Sequence, residues 1–479
     1  MKYDYGNLID GVWQDTGQIF DTHNPARPAE TVGRYAMADK AMVDRAVAAA
    51  SRAAREWRRV TVAQRCDILG RYIDAIEAAR GVLAAAITAE QGKTLKESLG
   101  EVAKACGESR YMMQHAMAET GSRHAASLRP GVRNLVVRRP RGVIVAITPW
   151  NFPVMTPMRK IAPALAFGNA IIVKASEFTP AAACLLGAIA ADILPNGLVQ
   201  ILHGGPEIGN ALVSHPGVQG VTFTGSVGTG KRIVAATASN LAEVSLELGG
   251  KNAAVIHDTD DLDACLDQVA QAAMMCSGQR CTAVSRVLVR RDLHAQVAAG
   301  LARRMAAMRL GDGSDPSTEL GPMTHRAQLE HVRLSVDQAR RDGAVVVTGG
   351  EPVRVPGCVD GYFYAPTLLD RVAPDSAAAR EEIFGPVVSL ISYETLDDAL
   401  HLLNDVAYGL TAALFSNDAR AIARFVDECE TGMLHVNHGT VPDSHMPFGG
   451  IKASGVGAYS VGPGAAAFYT TEHSVYLGA

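Results

Sequence analysis

From residue 142 onward, short runs of branched apolar residues alternate with helix-length, alanine-rich segments. The first runs are GVIVAIT (142–148), NAIIVKAS (169–176), GLVQILHG (197–204), GVTFTGS (220–226) and EVSLELGG (243–250). Later runs are NAAVIHDTDD (252–261), SRVLVRR (285–291), GAVVVTGG (343–350) and GPVVSLISYE (385–394). Such runs are typical of parallel strands buried on both faces and joined by crossover helices. The chain is therefore expected to fold as an α/β protein.

Two segments with different residue patterns precede this region. Residues 42–58 place Val43, Ala46, Val47, Ala50, Ala53 and Trp57 on one stripe, which predicts an amphipathic helix. Two or three similar helices are expected before about residue 119. The stretch PGVRNLVVRRPRG (130–142) alternates and is strongly basic, so it predicts an exposed hairpin and not a core strand.

Composition excludes several classes of function. With 479 residues the chain is expected to form two or three domains. Its net charge of −4 provides no basic surface for nucleic acid. No stretch approaches the roughly 18 apolar residues of a membrane span, and the N-terminus has no apolar leader, so we expect no membrane contact and a cytoplasmic location.

The eight cysteines are scattered along the chain and are expected to be reduced thiols. Cys276 and Cys281 are the only close pair, separated by four residues with no histidine nearby. That spacing is poor for zinc, and no metal site is expected.

The segment VTFTGSVGTGKRIV (221–234) has Gly225, Gly230 and Lys231 at the spacing of a P-loop. A P-loop needs Ser or Thr after the lysine to bind magnesium, and this chain has Arg232 there. The segment is then either a plain strand-to-helix turn or a helix N-terminus that faces a pyrophosphate. The glycine turn alone does not decide between them.

Three polar side chains together suggest covalent chemistry at a carbonyl. Cys281 follows a Gly-Gln-Arg turn in MMCSGQRCTAVSR (274–286), although a single cysteine is more often a small buried hydrophobe. Glu247 ends an apolar strand, where a carboxylate is costly unless it faces a wet cavity. Asn151 lies between Trp150 and Phe152 and forms either an Asx turn or a fixed amide donor. A cysteine can serve as the nucleophile, a glutamate as the base and a side-chain amide as a donor in the oxyanion hole.

At these residues the chain resembles the NAD(P)-dependent aldehyde dehydrogenases, nearly end to end, from NPA (24–26) to FYTTEHSVYL (468–477). The motifs that carry the resemblance are PWNFP, KASEFTP, FTGSVGTG, LELGGKN, GQRC, EEIFGPV and PFGGIKASGVG. The resemblance implies that Cys281 is the nucleophile, Glu247 the general base and Asn151 an oxyanion ligand. The expected reaction is oxidation of an aldehyde to the acid through a Cys281 thiohemiacetal and thioester.

Two alternatives concern the reaction itself. CoA-acylating relatives pass the acyl group to CoA and typically lack the general base, so Glu247 favours hydrolysis. A catalytically silent protein of the same fold is disfavoured because Cys281, Glu247 and Asn151 are all present.

The resemblance also implies three domains: a Rossmann-like NAD-binding domain (1–121 and 141–248), an α/β catalytic domain (249–448) and a small β oligomerisation domain (122–140 and 449–479). The basic hairpin and the C-terminal strand would expose sheet edges unless a second copy covers them. A homodimer or homotetramer is therefore expected.

The same resemblance places the cofactor on the glycine turn and its neighbours. The implied cofactor residues are Ile147, Thr148, Pro149, Trp150, Lys174, Ser176, Glu177, Gly205, Gly209, Phe223, Thr224, Gly225, Ser226, Thr229, Leu248, Gly249, Glu382 and Phe384. Glu177 is expected to bind the adenosine ribose hydroxyls and to repel a 2′-phosphate, so NAD is expected over NADP. The positive charge of Lys174 is expected to weaken this preference for NAD.

The implied substrate residues are Phe152, Met155, Arg159, Met275, Arg280 and Phe448. Arg159 lies where family members that act on ω-carboxylated semialdehydes have an arginine for the distal carboxylate. Two further anchor positions of those members hold Met275 and Pro442 here. Succinate semialdehyde and smaller anionic or hydroxylated aldehydes, such as lactaldehyde or glycolaldehyde, are therefore the expected substrates.

Overall fold

The computed structural model describes residues 3–478. Its helices are α1 (Lys40–Trp57), α2 (Val62–Ala78), α3 (Arg80–Gln91), α4 (Leu95–Glu119), α5 (Met155–Ala166), α6 (Pro180–Ile193), α7 (Pro206–Val213), α8 (Val227–Thr237), α9 (Leu262–Met274), α10 (His294–Ala306), α11 (Arg326–Arg341), α12 (Ala377–Arg380), α13 (Leu396–Asn404), α14 (Ala419–Glu428) and α15 (Ala465–Tyr469), with short 3₁₀ turns at Met275–Gly278 and Arg291–Leu293.

Its strands are β1 (Tyr3–Tyr5), β2 (Asn7–Ile9), β3 (Val12–Gln14), β4 (Ile19–Asn24), β5 (Arg27–Ala36), β6 (Ser122–Ala125), β7 (Arg133–Pro140), β8 (Val143–Ile147), β9 (Ala170–Lys174), β10 (Val199–Leu202), β11 (Gly220–Thr224), β12 (Glu243–Glu247), β13 (Asn252–Ile256), β14 (Val284–Arg290), β15 (Val345–Thr348), β16 (Thr367–Asp370), β17 (Val387–Tyr393), β18 (Tyr408–Gly409), β19 (Thr411–Phe415), β20 (Met433–Val436), β21 (Ile451–Lys452), β22 (Gly455–Val456) and β23 (Thr470–Leu477).

Four helices, α1 to α4, precede β8, the first of the parallel strands in the large sheets, and the predicted helix at 42–58 is confirmed as α1. Its stripe from Val43 to Trp57 is buried because it packs on the first large sheet. Asp39 caps α1, while Thr61 and Thr94 form capping boxes at the starts of α2 and α4. These caps satisfy the free N–H groups that every helix start presents.

The first large sheet has eight strands in the order β22-β12-β11-β8-β9-β10-β2-β3. Strands β8 to β12 are mutually parallel, as their fully apolar runs predict, and a single core cluster joins them to the flanking helices. Parallel strands place all their carboxyl ends at one edge. Residues 147–151, 174–177, 224–226 and 247–250 follow four of these ends.

The second large sheet has seven strands in the order β15-β16-β17-β14-β13-β19-β20. All neighbours are parallel except β15 and β16. Apolar clusters cover both faces of this sheet, which confirms the prediction of a second α/β unit.

A separate three-stranded antiparallel sheet has the order β23-β7-β6. Strands β6 and β7 form the predicted basic hairpin, and β23 pairs with β7 along its whole length. Strand β6 is exposed at every position.

Two short strands cross the predicted domain boundary at residue 449. Strand β22 adds to β12 of the first sheet, and β21 pairs with β18, next to the second sheet. The segment after 449 therefore ties the two sheets together before it reaches β23. The three-domain division stays a prediction.

Among residues 3–478, no helix is both long and apolar enough to cross a membrane. The same residues contain no group of three or more His, Cys, Asp or Glu side chains arranged for a metal ion.

Candidate active site

A cavity of about 1590 Å³ opens between the carboxyl edge of the first large sheet and the amino edge of the second. Asn151, Glu247 and Cys281 all line it. They come from three places in the fold: the turn after β8, the end of β12, and the loop between α9 and β14. The structure thus brings together the three residues that the sequence proposed as oxyanion ligand, base and nucleophile.

The backbone before Cys281 is strained. Cys276 and Ser277 have φ angles of 54° and 56°, in the left-handed region that residues with a side chain rarely adopt. Contacts hold this turn in place: Glu97 accepts the Cys276 amide at 2.7 Å, and the Ser277 hydroxyl donates to the Gly321 carbonyl at 2.7 Å. Backbone strain of this kind costs about 1–3 kcal/mol per residue and clusters at functional sites.

Cys281 differs from most other cysteines of the chain because its side chain is partly exposed, within the cavity. Its carbonyl oxygen accepts a hydrogen bond of 2.7 Å from the Asn252 side chain, which fixes its backbone. Burial raises the pKa of the Cys281 thiol to about 12; the charges of Glu247 and Glu382 add to this, and Arg159 and Arg280 oppose it. The thiol therefore needs a base to become a thiolate at neutral pH.

Glu247 is held by one strong contact. The Thr224 hydroxyl donates to its Oε2 at 2.9 Å, across the neighbouring strands β11 and β12. Its Oε1 is buried, and no donor among the described residues reaches it. A buried carboxylate oxygen without a donor is costly, so Glu247 is arranged to accept a proton or a water from the cavity.

Asn151 is fixed by two contacts that sequence patterns do not reveal. Its Nδ2 donates to the Gln279 carbonyl at 2.9 Å, two residues before Cys281. Its own carbonyl accepts a 2.6 Å bond from Lys93, and Lys93 also pairs with Glu101 at 2.8 Å, both side chains being fully buried. Asn151 is thereby tied to the loop of the candidate nucleophile.

The proposed cofactor residues divide into two sets. The cavity wall includes Pro149, Trp150, Thr224, Gly225, Ser226, Leu248, Gly249, Glu382 and Phe384. Along the adjoining strand ends and helix starts lie Ile147, Thr148, Lys174, Ser176, Glu177, Gly205, Gly209, Phe223 and Thr229. Both sets occupy the carboxyl edge of the first sheet or face it, where α/β proteins bind nucleotides.

The helix starts at this edge suit an anionic group. Ser226 caps α8 and accepts the Thr229 amide at 3.3 Å, which leaves the amides of Val227 and Gly228 as donors. A Cβ placed on Gly228 or on Gly205, the cap of α7, would meet no atom within 4 Å. Open space in front of two helix starts fits the phosphates of a dinucleotide.

The cavity wall also includes the carboxylate of Glu382. Glu382 accepts the Gly250 amide at 3.0 Å, and burial raises its pKa to about 7. A Cβ on Gly249 would lie 2.2 Å from Glu382 Oε2, so a larger residue there would displace this carboxylate. Gln328, which the sequence analysis missed, donates to the carbonyls of Ile383 and Phe384 and so holds this turn. A carboxylate so placed can accept hydrogen bonds from ribose hydroxyls.

Glu177 is half-exposed at the outer edge, with its Oε2 3.4 Å from the Lys174 ammonium. Beside it, the rings of Phe178 and His325 stack at 4.1 Å. The carboxylate is therefore available to a ligand, and Lys174 partly offsets its charge.

All six proposed substrate residues, Phe152, Met155, Arg159, Met275, Arg280 and Phe448, line the cavity. Arg159, however, is already paired with Glu108 through two bonds of 2.9 and 2.8 Å. Lys104 also lines this end of the cavity. Sequence reasoning missed Glu108 and Lys104, whose spacing of four residues on α4 was the available signal.

The aldehyde dehydrogenase family matches residues 13–475. The alpha-ketoglutaric semialdehyde dehydrogenase of Bacillus subtilis (strain 168) is 34% identical over 478 residues, covering 99% of this chain and 98% of that protein. The mitochondrial succinate-semialdehyde dehydrogenase of Arabidopsis thaliana is 36% identical over 454 residues, covering 94% and 85%.

Among solved structures, betaine aldehyde dehydrogenase from Staphylococcus aureus in complex with NAD+ superposes with a TM-score of 0.96 at 31% identity, covering 99% of this chain and 95% of that one. The chain therefore belongs to the aldehyde dehydrogenase family and is an aldehyde-oxidising oxidoreductase. The resemblance seen in the motifs, and the fold class, are confirmed.

Proposed function

We propose that the protein oxidises a short aldehyde with an anionic or polar second group, such as succinate semialdehyde, to the carboxylic acid, with NAD as cofactor. The observation that carries the proposal is the cavity in which Cys281, Glu247 and Asn151 meet. The two relatives described above are named for semialdehydes, and Arg159, Arg280 and Lys104 place positive charge at the same end of the cavity.

In the first half of the reaction, Glu247 removes the proton of the Cys281 thiol, and the thiolate adds to the aldehyde carbon. The resulting oxyanion is stabilised by the Cys281 backbone N–H and by Asn151. The amide nitrogen of Asn151 has two hydrogens; one is bonded to Gln279, and the other is left for the oxyanion. One such donor contributes about 3–4 kcal/mol to the transition state.

When bound, NAD supplies the two-electron acceptor that takes hydride from the thiohemiacetal carbon. The acyl group then stays on Cys281 as a thioester. Glu247 passes the thiol proton to solvent and then takes a proton from water; the hydroxide adds to the thioester, the acid leaves, and the released Cys281 thiolate takes the proton back from Glu247. The balance is aldehyde, NAD+ and water giving acid, NADH and a proton. A thiolate suits both halves because it adds readily and leaves readily.

For the cofactor, the start of α8 with Ser226 and Gly225 would hold the pyrophosphate, and Glu382 would bind the nicotinamide ribose. Glu177 would bind the adenosine ribose and disfavour a 2′-phosphate. The water-activating position of Glu247 supports hydrolysis over transfer to CoA.

The test compares Cys281→Ala with Cys276→Ala, a matched change in the same cavity wall. We expect Cys281→Ala to abolish NADH formation from succinate semialdehyde, and Cys276→Ala to retain it. Mass spectrometry of the wild type, quenched in acid during turnover of succinate semialdehyde and NAD, should show the acyl mass on the peptide containing Cys281. Undiminished NADH production by Cys281→Ala would refute the proposal.

We also propose that the protein assembles as a homodimer or homotetramer. Strands β23 and β6 are the edges of the small sheet, and β6 is fully exposed. Exposed sheet edges favour pairing with a second copy. Light scattering that gave a monomer mass would contradict this proposal.

A further inference from the structure

Arg159 already has a carboxylate partner within the chain. Its Nε and Nη2 bond both oxygens of Glu108, each side chain being only 3% exposed. Its remaining Nη1 lies 3.9 Å from Glu247 Oε2, and its guanidinium stacks on the Phe448 ring at 4.0 Å. A guanidinium bonded on these edges has little capacity for a second carboxylate.

Arg280, in contrast, has no carboxylate partner among the described residues. It is buried, it lines the cavity, and it forms no ion pair within residues 3–478. Its contacts are neutral acceptors: the Met275 sulfur at 2.8 Å, the Thr282 hydroxyl at 2.8 Å and the Thr440 carbonyl at 3.1 Å. A buried charge without a counter-charge is costly.

Lys104 is the second cation without a partner of its own. Its side chain is 24% exposed and lines the cavity, and its ammonium donates to the Pro442 carbonyl at 2.5 Å. The nearest carboxylate is Glu108 at 4.0 Å, which Arg159 already occupies.

The charges at this end of the cavity do not balance. Three cations, Arg159, Arg280 and Lys104, face two buried carboxylates, Glu108 and Glu247. Asp443, on the loop that carries Pro442, is exposed to solvent. One positive charge therefore stays uncompensated, and an anionic group of the substrate would balance it.

We propose that Lys104 and Arg280 form the binding subsite for the distal carboxylate of an ω-carboxylated aldehyde, in place of Arg159. The inference rests on the proposed function, in which Cys281 attacks the aldehyde. Arg280 directly precedes Cys281, so the subsite favours a short substrate. Arg159 and Glu108 then form part of the wall that supports Glu247.

The test compares Lys104→Met with Lys96→Met, a change of a lysine on the same helix that also lines the cavity. Succinate semialdehyde and butanal have the same chain length and differ in the carboxylate. We expect Lys104→Met to raise KM for succinate semialdehyde about tenfold with little change in kcat, since a partly buried charge-assisted bond is lost. KM for butanal should not rise, and Lys96→Met should change neither substrate.

Equal effects of Lys104→Met on both aldehydes, or no effect on either, would overturn the subsite. If the wild type forms no NADH from any aldehyde, the proposed function fails instead. Succinate binding then still tests the subsite: it should raise Tm of the wild type, butyrate should do so less, and Lys104→Met should lose the difference. Equal shifts in the wild type and Lys104→Met would overturn the subsite.

The pH dependence gives a second readout. Burial lowers the pKa of Lys104 to about 8; Glu108 and Asp443 oppose this, and the charges of Arg159 and Arg280 add to it. Deprotonation removes the charge, so KM for succinate semialdehyde should rise above pH 8 while KM for butanal does not. Lys104→Arg should keep a low KM and lose the rise. A parallel rise for both aldehydes would contradict the proposal.

Discussion

The ammonium of Lys93 lies 2.6 Å from the main-chain oxygen of Asn151. Lys93 comes from the turn before α4, and Asn151 from the turn after β8, so this contact connects the N-terminal helices to the candidate oxyanion hole. Glu101 pairs with the same ammonium and accepts the amides of Val154 and Met155. The turn that carries Asn151 is thus fixed at both ends by one buried ion pair.

Removing Lys93 should therefore be costly. We expect Lys93→Met to lower the free energy of unfolding by about 3–5 kcal/mol, because it leaves Glu101 buried without its counter-charge. Urea denaturation measures the change. The double variant Lys93→Met/Glu101→Gln should recover part of the loss; a double variant as unstable as the sum of both single changes would show that the pair is not coupled.

Glu247→Gln should slow both halves of the reaction, because Glu247 activates the thiol as well as the water. We expect a slower first turnover of NADH and a steady-state turnover reduced about 10²- to 10⁴-fold, the usual contribution of a general base. Stopped-flow NADH absorbance measures both phases. Thr224→Val, which removes only the 2.9 Å bond to Glu247, should show a smaller loss. Wild-type steady-state turnover by Glu247→Gln would refute the role of this base.

Glu177→Ser should improve the use of NADP. The half-exposed carboxylate repels a 2′-phosphate, and Lys174 remains to attract it. Loss of one like charge at close range should raise kcat/KM for NADP about tenfold or more. The matched change Glu207→Ser, in the first turn of α7, should have little effect. Equal kcat/KM for the two cofactors in the wild type would refute this role of Glu177.

Glu90 should make stability depend on pH. It is buried and accepts bonds from Thr22, Tyr35 and Ala181, yet burial raises its pKa to about 7. Between its ordinary pKa of 4.5 and about 7, the folded state holds a proton that the unfolded chain has released. This group therefore makes the unfolding free energy fall as pH rises through that window, by about 3 kcal/mol.

In Glu90→Gln that contribution should be absent. The check is the difference in unfolding free energy between this variant and the wild type from pH 4.5 to 8, with the exposed Glu119→Gln as control. A difference that does not change with pH would contradict the assignment.

Much of the fold was predictable because its signals are local. Apolar runs at 142–148 and 169–176 are continuous, which identified parallel strands, and the stripe of α1 identified its buried face. The partners of the small sheet were harder to foresee, because β7 pairs with residues 470–477, more than 300 positions away.

The candidate site was predictable in its parts and not in its contacts. Cys281, Glu247 and Asn151 stand in recognisable motifs, and all three line one cavity. The bond between Arg159 and Glu108 joins residues 51 positions apart, and no local pattern indicates it. A motif indicates which side chain is present, but the side chains that compensate its charge depend on tertiary packing.

The left-handed pair Cys276 and Ser277 has a consequence for heat tolerance. Contacts to Glu97 and Gly321 hold this buried turn against its conformational preference. Such a segment relaxes at a lower temperature than the sheets on either side of it. On gradual warming, the protein should lose its ability to turn over substrate while its circular dichroism still reports an intact fold.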